Sequence, residues 1–239
     1  MTGQPGCNVK SPVFRPVGDS ALLVEFGDRI DDQIHEAVLH LDASVQLAKL
    51  QGVIENVPAY TSLLIEYDPL ITDYFALCDQ LKDCLAQGGS VDRTSQQWSI
   101  PVCYSAEFGS DLQVVASRLK ISIDEIIQEH TRATYKVYMY GFAAGYAYLG
   151  GTPESIQLPR KQAPVNNVPA GSVIIAGPQA LITTITMPSG WWVIGRTRDT
   201  PLKRAGDQPF LFNVGDTVRF TSISEEEYNV RSVKEGVAW

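Results

Sequence analysis

The feature that most constrains this chain is a change of pattern part-way along it. From Tyr135 onward almost every apolar run has strand length: 135–140, 172–176, 181–186, 191–196 and 217–221. Gly and Pro punctuate these runs at short intervals, as the corners of an antiparallel barrel require. Ahead of residue 87 the pattern differs. Residues 20–26 predict a strand, and Ile30, Ile34, Val38, Leu41 and Val45 then recur at helical spacing. Asp28 or Asp31 would cap that helix, and Gly52 lies just past its end. Two β runs follow, 53–57 and 62–67, broken by Pro58. A second amphipathic helix then places Ile71, Phe75, Cys78, Leu81 and Leu85 on one side. Together these predict a small α/β sandwich, a sheet with helices on one face. The segments 87–90 and 94–97 are polar and aperiodic and mark a boundary. The predicted fold class is therefore α+β, with an N-terminal α/β domain over 1–90 and a β-barrel domain over 91–239. The barrel half opens with a strand at 98–104 and two short helices, the second headed by a Ser122/Glu125 capping box. The stretch 150–171 is Pro-rich and aperiodic, and loops of that length in compact domains usually carry function.

Charge excludes several classes of partner. A formal net charge of −8 leaves no basic excess to neutralise nucleic-acid phosphates or an anionic membrane. Residues 1–10 lack the basic and apolar regions of a signal peptide. No apolar run reaches the ~18 residues of a membrane span, so a cytoplasmic protein is expected. Cys7, Cys78, Cys84 and Cys103 form no CxxC pair and read as buried reduced thiols, with Cys78 and Cys84 on different faces of one helix. There is no GxxxxGK[ST], GxGxxG or GxSxG. His35 and His40 lie about 140° apart on the first helix and cannot share a metal, so they read as solvated and no metal site is expected.

Two constellations carry possible chemistry. Arg160, Lys161, Arg196, Arg198, Lys203 and Arg204 stand against the single acid Asp199 between 158 and 204. They fit an anion-binding site, because Arg forks match carboxylates and phosphates bidentately, or equally a solvated surface or an interface with an acidic partner. Tyr138, Tyr140, Phe142, Tyr146, Tyr148, Trp191 and Trp192 form the second group. Alternation along the strands sends some of these rings to the core and leaves others to line a groove.

The segment Gly141-Phe-Ala-Ala-Gly-Tyr-Ala-Tyr-Leu149 resembles the GFxPGFxYL signature of the first-subunit family of 5-oxoprolinase and allophanate hydrolase (KipI-like). Around it come His130, the Tyr135-Lys136-Val137 block, Pro159-Arg160-Lys161, the run from Val168 to Val173, and Ile175 to Gln179. Gly190-Trp191, Ile194 to Thr197 and Val214 to Phe220 complete the series, with looser agreement at Gly18 to Leu22, Val57 to Tyr60 and Tyr67 to Pro69. The chain departs from the pattern at Ala144, Tyr146, Val165, Asn167 and Ala180. The resemblance implies a cyclophilin-like barrel after the α/β domain. It also implies a subunit that works with a larger sister subunit and a third protein to open the lactam of 5-oxoproline to glutamate. ATP would be used by the complex, with no cofactor assigned to this chain alone. On this reading Arg160, Gln179, Arg196 and Thr197 hold the carboxylate or phosphate of a small-molecule substrate, Tyr146, Tyr148 and Trp191 form an apolar wall, and His130 is the histidine nearest the motif blocks, a buried structural role being equally open to it. The family also admits an inhibitor of a sensor histidine kinase and half of a biotin-dependent carboxyltransferase.

Overall fold

The structure is a computed structural model that describes residues 11–86, 95–202 and 209–234. The chain divides into two compact units, Met1–Thr94 and Ser95–Trp239. The polar stretch 87–97 lies largely outside the described residues, as do Cys7, Lys203 and Arg204.

In the first unit β1 (Val13–Val17), β2 (Ala21–Glu25), α1 (Asp32–Ala48), β3 (Val53–Pro58), β4 (Ser62–Tyr67) and α2 (Tyr74–Ala86) follow in order. The strands form one antiparallel sheet, β1-β2-β4-β3. Strand alternation sends Leu22 and Val24 of β2 and Leu63, Ile65 and Tyr67 of β4 into the core. Ile34, Val38, Leu41 and Val45 of α1 pack into the same core, as their spacing predicts. Asp31 caps α1 by accepting hydrogen bonds from the backbone of Gln33 at 2.9 Å and Ile34 at 3.4 Å. The helix ends on Lys49 in the left-handed region.

Four local expectations fail here, because side-chain spacing fixes neither where a helix begins nor which sector of it meets the sheet. Ile30 precedes α1 and is exposed. Ile71 and Phe75 are 55% and 77% exposed, and α2 instead buries Leu77, Cys78, Leu81 and Cys84. Cys78 and Cys84, expected on different faces of the helix, both pack into this one core. His35 is fully buried, not solvated. The edge strand β1 has no apolar alternation and contains Pro16, which an edge tolerates because it donates nothing to the ladder.

The second unit runs β5 (Gln97–Cys103), α3 (Leu112–Leu119), α4 (Ile123–Arg132), β6 (Tyr135–Tyr140), β7 (Ala147–Gly150), a 3₁₀ turn (Glu154–Ile156) and β8 (Val165–Val168). It continues with β9 (Ser172–Ala176), β10 (Gln179–Ile182), β11 (Met187–Ser189), β12 (Trp192–Arg196), β13 (Thr217–Ile223) and α5 (Glu225–Lys234). Seven strands close a barrel in the order β10-β7-β6-β13-β5-β12-β9, and β8 and β11 form a separate two-stranded ribbon. One pairing among the described strands is not antiparallel: β13 runs parallel to β5 over its whole length. Inward residues such as Ile100, Val102, Val137, Leu149, Val173, Ile175, Ile182, Ile194 and Phe220 fill the barrel, with Val115 of α3 and Ile126 of α4 packed into the same core. The capping box at the start of α4 is present, Glu125 N donating to Ser122 Oγ at 3.1 Å and Ser122 N to Glu125 Oε2 at 2.7 Å. Buried Asp216 locks the parallel pair by accepting from Trp98 Nε1 at 2.9 Å, Gln96 N at 3.0 Å and Asn213 N at 2.8 Å.

Candidate functional site

Strands β9 and β10 are buried on both faces, which is why they read as nearly unbroken apolar runs. Val173, Ile175 and Ile182 point into the barrel, while Ile174 and Leu181 point outward. The outward pair joins Tyr146, Val168, Trp191 and Val193 in a second apolar cluster outside the barrel. A cavity of about 170 Å³ opens there, with Ile174 and Leu181 as floor, Tyr146, Tyr148 and Trp191 as walls, and Arg160, Met187, Ser189 and Phe142 around them. It is smaller than the roughly 300–1,000 Å³ of drug-sized ligand sites, so it suits a small molecule.

The signature segment builds one wall. Phe142 sits in the left-handed region at φ 71° and is 77% exposed at the lip, 5.8 Å from the Tyr146 ring. Such strain persists only where the surroundings hold it. Gly141 N donates to Tyr146 O at 3.1 Å, and Thr184 Oγ1 donates to Ala144 O at 2.7 Å. Gly145 has φ +73°, and a Cβ there would meet Leu202 Cβ at 2.7 Å. Tyr146, standing where the signature has Phe, is 4% exposed and donates its hydroxyl to Met187 Sδ at 2.6 Å. Burial, then the neighbouring Tyr148, pushes its pKa up to about 12, so it stays a donor at neutral pH. Burial also raises the Tyr148 pKa, against the opposing pull of Arg160.

Arg160 is exposed, with Cζ 5.5 Å from the centre of the Trp191 ring, and Tyr148 meets that ring edge-on at 6.1 Å. Its two neighbours fix it. Pro159 O accepts from Trp192 Nε1 at 2.8 Å, and Lys161 N donates to Gly190 O at 2.7 Å. Lys161 Nζ pairs with Asp111 Oδ2 at 2.6 Å, and the same oxygen accepts from Val193 N at 2.6 Å. Asp111 occupies the N-cap position of α3, yet its carboxylate makes no cap hydrogen bond there and is spent on this clamp.

The structure splits the residues that the sequence groups together. Arg196 lies at the opposite end of β12 from Trp191, about 16 Å of strand away, and packs over Phe108. Thr197 is 1% exposed and structural: its N–H donates to Gly171 O at 2.8 Å and its Oγ1 accepts from Asp199 N at 3.0 Å. Gln179 pairs with Ala176 and Gly150 in the barrel and does not line the cavity. His130 is fully buried, stacked on Phe220 at 4.5 Å with Nδ1 2.7 Å from Tyr104 Oη. Burial drives its pKa down to about 3, so it is a neutral core residue. The expected local excess of cations is also smaller than the sequence suggests, because Lys161 is neutralised by Asp111 from a distant segment. Tyr146, Tyr148, Trp191 and Arg160 do come together.

Met187, Ser189, Ile174 and Leu181 complete the cavity, and sequence pattern alone does not single them out. The turn-like Pro188-Ser189-Gly190 ahead of Trp191 is the available signal for the first two. Chemically, the lining offers an apolar slot, a phenol donor and one guanidinium. Among the described residues no carboxylate, imidazole or thiol lines it, and the Ser189 hydroxyl accepts from Trp191 N at 3.1 Å. The cavity can bind and orient a small anion, but its lining offers no base to activate a nucleophile. Among the described residues no group of three or more His, Cys, Asp or Glu is placed to hold a metal, and no helix is long and apolar enough to cross a membrane.

Residues 12–212 match the family described as carboxyltransferase domain, subdomain C and D. The chain is 36% identical to the B-type subunit of 5-oxoprolinase from Bacillus subtilis, covering 89% of this chain and 93% of that protein. It is 38% identical to the corresponding 5-oxoprolinase protein of Haemophilus influenzae, over 73% of this chain and 82% of the relative. Among solved structures it resembles TTHA0988, with a TM-score of 0.77 and 31% identity, over 86% of this chain but only 40% of that one. On the sequence match and the closed barrel together, the chain belongs to the carboxyltransferase-domain family of subdomains C and D that includes the B-type subunits of 5-oxoprolinase.

Proposed function

We propose that this chain is the B-type subunit of a 5-oxoprolinase, a multi-protein enzyme that adds water across the lactam C–N bond of 5-oxoproline with ATP hydrolysis and releases glutamate. The observation that carries the reading is the small apolar cavity bearing a single fixed guanidinium, in a chain 36% identical to a B-type 5-oxoprolinase subunit over nearly its full length. A five-membered ring with one carboxylate has the same division of character as the slot: its ring would rest against the apolar lining beside Tyr148 and Trp191, with its carboxylate toward Arg160. A lactam is a poor electrophile, and the lining supplies orientation and a hydrogen-bond donor but no base. The activating groups therefore come from partners, a larger sister subunit and a third protein.

The test is ATP-dependent glutamate release from 5-oxoproline by the chain alone and in a mixture with both partner subunits. Turnover is expected only in the mixture, and Arg160→Ala should raise KM there more than it lowers kcat. Turnover by the lone chain would overturn the partner-dependent reading. A silent mixture, with the chain instead binding a sensor histidine kinase, would overturn the enzymatic one.

A further inference from the structure

At the end of β12 away from the cavity, two arginines stack on one pair of aromatic rings and a third pairs with Asp199. Phe108 and Tyr228 lie 4.4 Å apart, with Arg196 Cζ 5.2 Å from the first ring and Arg198 Cζ 4.3 Å from the second. Arg231 enters from α5, three residues after Tyr228, and donates from Nη2 to Asp199 Oδ2 at 3.0 Å. Arg196 and the Tyr228 hydroxyl share a hydrogen bond. The Nε atoms of Arg196, Arg198 and Arg231 are all buried, and none has an acceptor among the described residues.

This arrangement is costly as it stands. Among the described residues, the three guanidinium groups have one carboxylate, Asp199, as ion-pair partner, which leaves two positive charges uncompensated in a partly buried patch of a chain whose formal net charge is −8. Stacking on Phe108 and Tyr228 removes hydration from two of the guanidinium groups, which raises the cost of their mutual repulsion. Each buried, unpaired Nε–H adds the penalty of a lost hydrogen bond. An oxyanion offsets both terms.

We propose that Arg196, Arg198 and Arg231 form a binding site for a phosphate group, separate from the Arg160 cavity and independent of the function proposed above. Two features select phosphate over a carboxylate. A phosphate monoester carries about −1.5 to −2 charges near pH 7, matching the uncompensated pair, whereas a carboxylate carries one. A tetrahedral group with three free oxygens also meets three separate donors, whereas a planar carboxylate is satisfied by one fork. The twist of the chain that presents Arg196 and Arg198 is rigid. Thr197 N is tied to Gly171 O at 2.8 Å, and a Cβ on Gly171 would stand 2.4 Å from Thr197 O.

The experiment is isothermal titration calorimetry of the full chain with inorganic phosphate and, separately, with ADP, against chloride at matched ionic strength. Saturable phosphate binding is expected, weakened at least tenfold by Arg198→Ala and by Arg231→Ala and unchanged by Arg160→Ala. Arg198→Lys keeps the charge and loses the fork, so it should fold as the parent does and still bind at least several-fold more weakly. ADP binding tighter than phosphate, and lost in the same variants, would make a nucleotide the source of the phosphate; equal affinities would point to free phosphate. No saturable binding of either, or binding that Arg198→Ala and Arg231→Ala both leave intact, would overturn the proposal.

Discussion

The clamp beneath Arg160 can be tested without touching the cavity. Lys161 and Asp111 are 10% and 17% exposed and meet at 2.6 Å. At the surface such a pair would be worth about 0–1 kcal/mol, but breaking a buried pair costs about 3–5 kcal/mol because it strands a charge. Asp111→Ala leaves the Lys161 ammonium and the Val193 N–H without their acceptor, so it should cost about 3–5 kcal/mol. Lys161→Met loses the ammonium over Trp192 but leaves Asp111 its hydrogen bond from Val193 N, so about 1–3 kcal/mol is expected. The double variant strands neither charge and should fall short of the sum by about 1–3 kcal/mol. Urea unfolding followed by tryptophan fluorescence gives all three values. The same variants should weaken 5-oxoproline binding about tenfold, because residues 159 and 161 hold Arg160 in place. Additivity within about 0.5 kcal/mol, or unaltered ligand affinity in Lys161→Met, would refute the clamp.

Buried His130 should make the barrel unit acid-sensitive. Its folded pKa of about 3 lies below the unfolded value, so the unfolded chain binds the proton first and stability falls as pH drops below about 6.5. Between pH 7 and 5 that loss is about 2 kcal/mol, and His130→Phe should flatten the profile in chemical denaturation. Arg160→Ala should weaken a carboxylate ligand by about 1.5–3 kcal/mol in calorimetry while leaving the melting temperature within error, because the side chain is exposed. Gly171→Ala should destabilise by more than 1–2 kcal/mol, about the left-handed penalty alone, because its Cβ would also meet a backbone oxygen at 2.4 Å. A melting temperature equal to the parent's would show that the turn relaxes.

Much of the fold is legible in the sequence because it is written in local pattern. The α1 stripe Ile34, Val38, Leu41 and Val45 is a periodicity of one helix against one sheet, and the Ser122/Glu125 box is a bond between near neighbours. The closely spaced motif blocks identify the family, and Tyr146 and Tyr148 of the signature segment both line the cavity. What the sequence could not determine depends on contacts between distant segments. The pairing of β5 with β13 joins residues about 120 apart and runs parallel, and nothing local to either strand sets that direction. The clamp joins Asp111 to Lys161, fifty residues on, so a count of charges over 158–204 takes a neutralised lysine for a free one. Arg160 and Arg196 belong to one cationic stretch of sequence, but Arg160 sits over Trp191 at one end of β12, and Arg196 stands at the other end, about 16 Å of strand from Trp191. Spacing along the chain supplied the elements and most of their faces. Closure of the barrel decided which arginine meets the aromatic slot and which meets the rings of Phe108 and Tyr228, because only packing brings residues from different strands to one point.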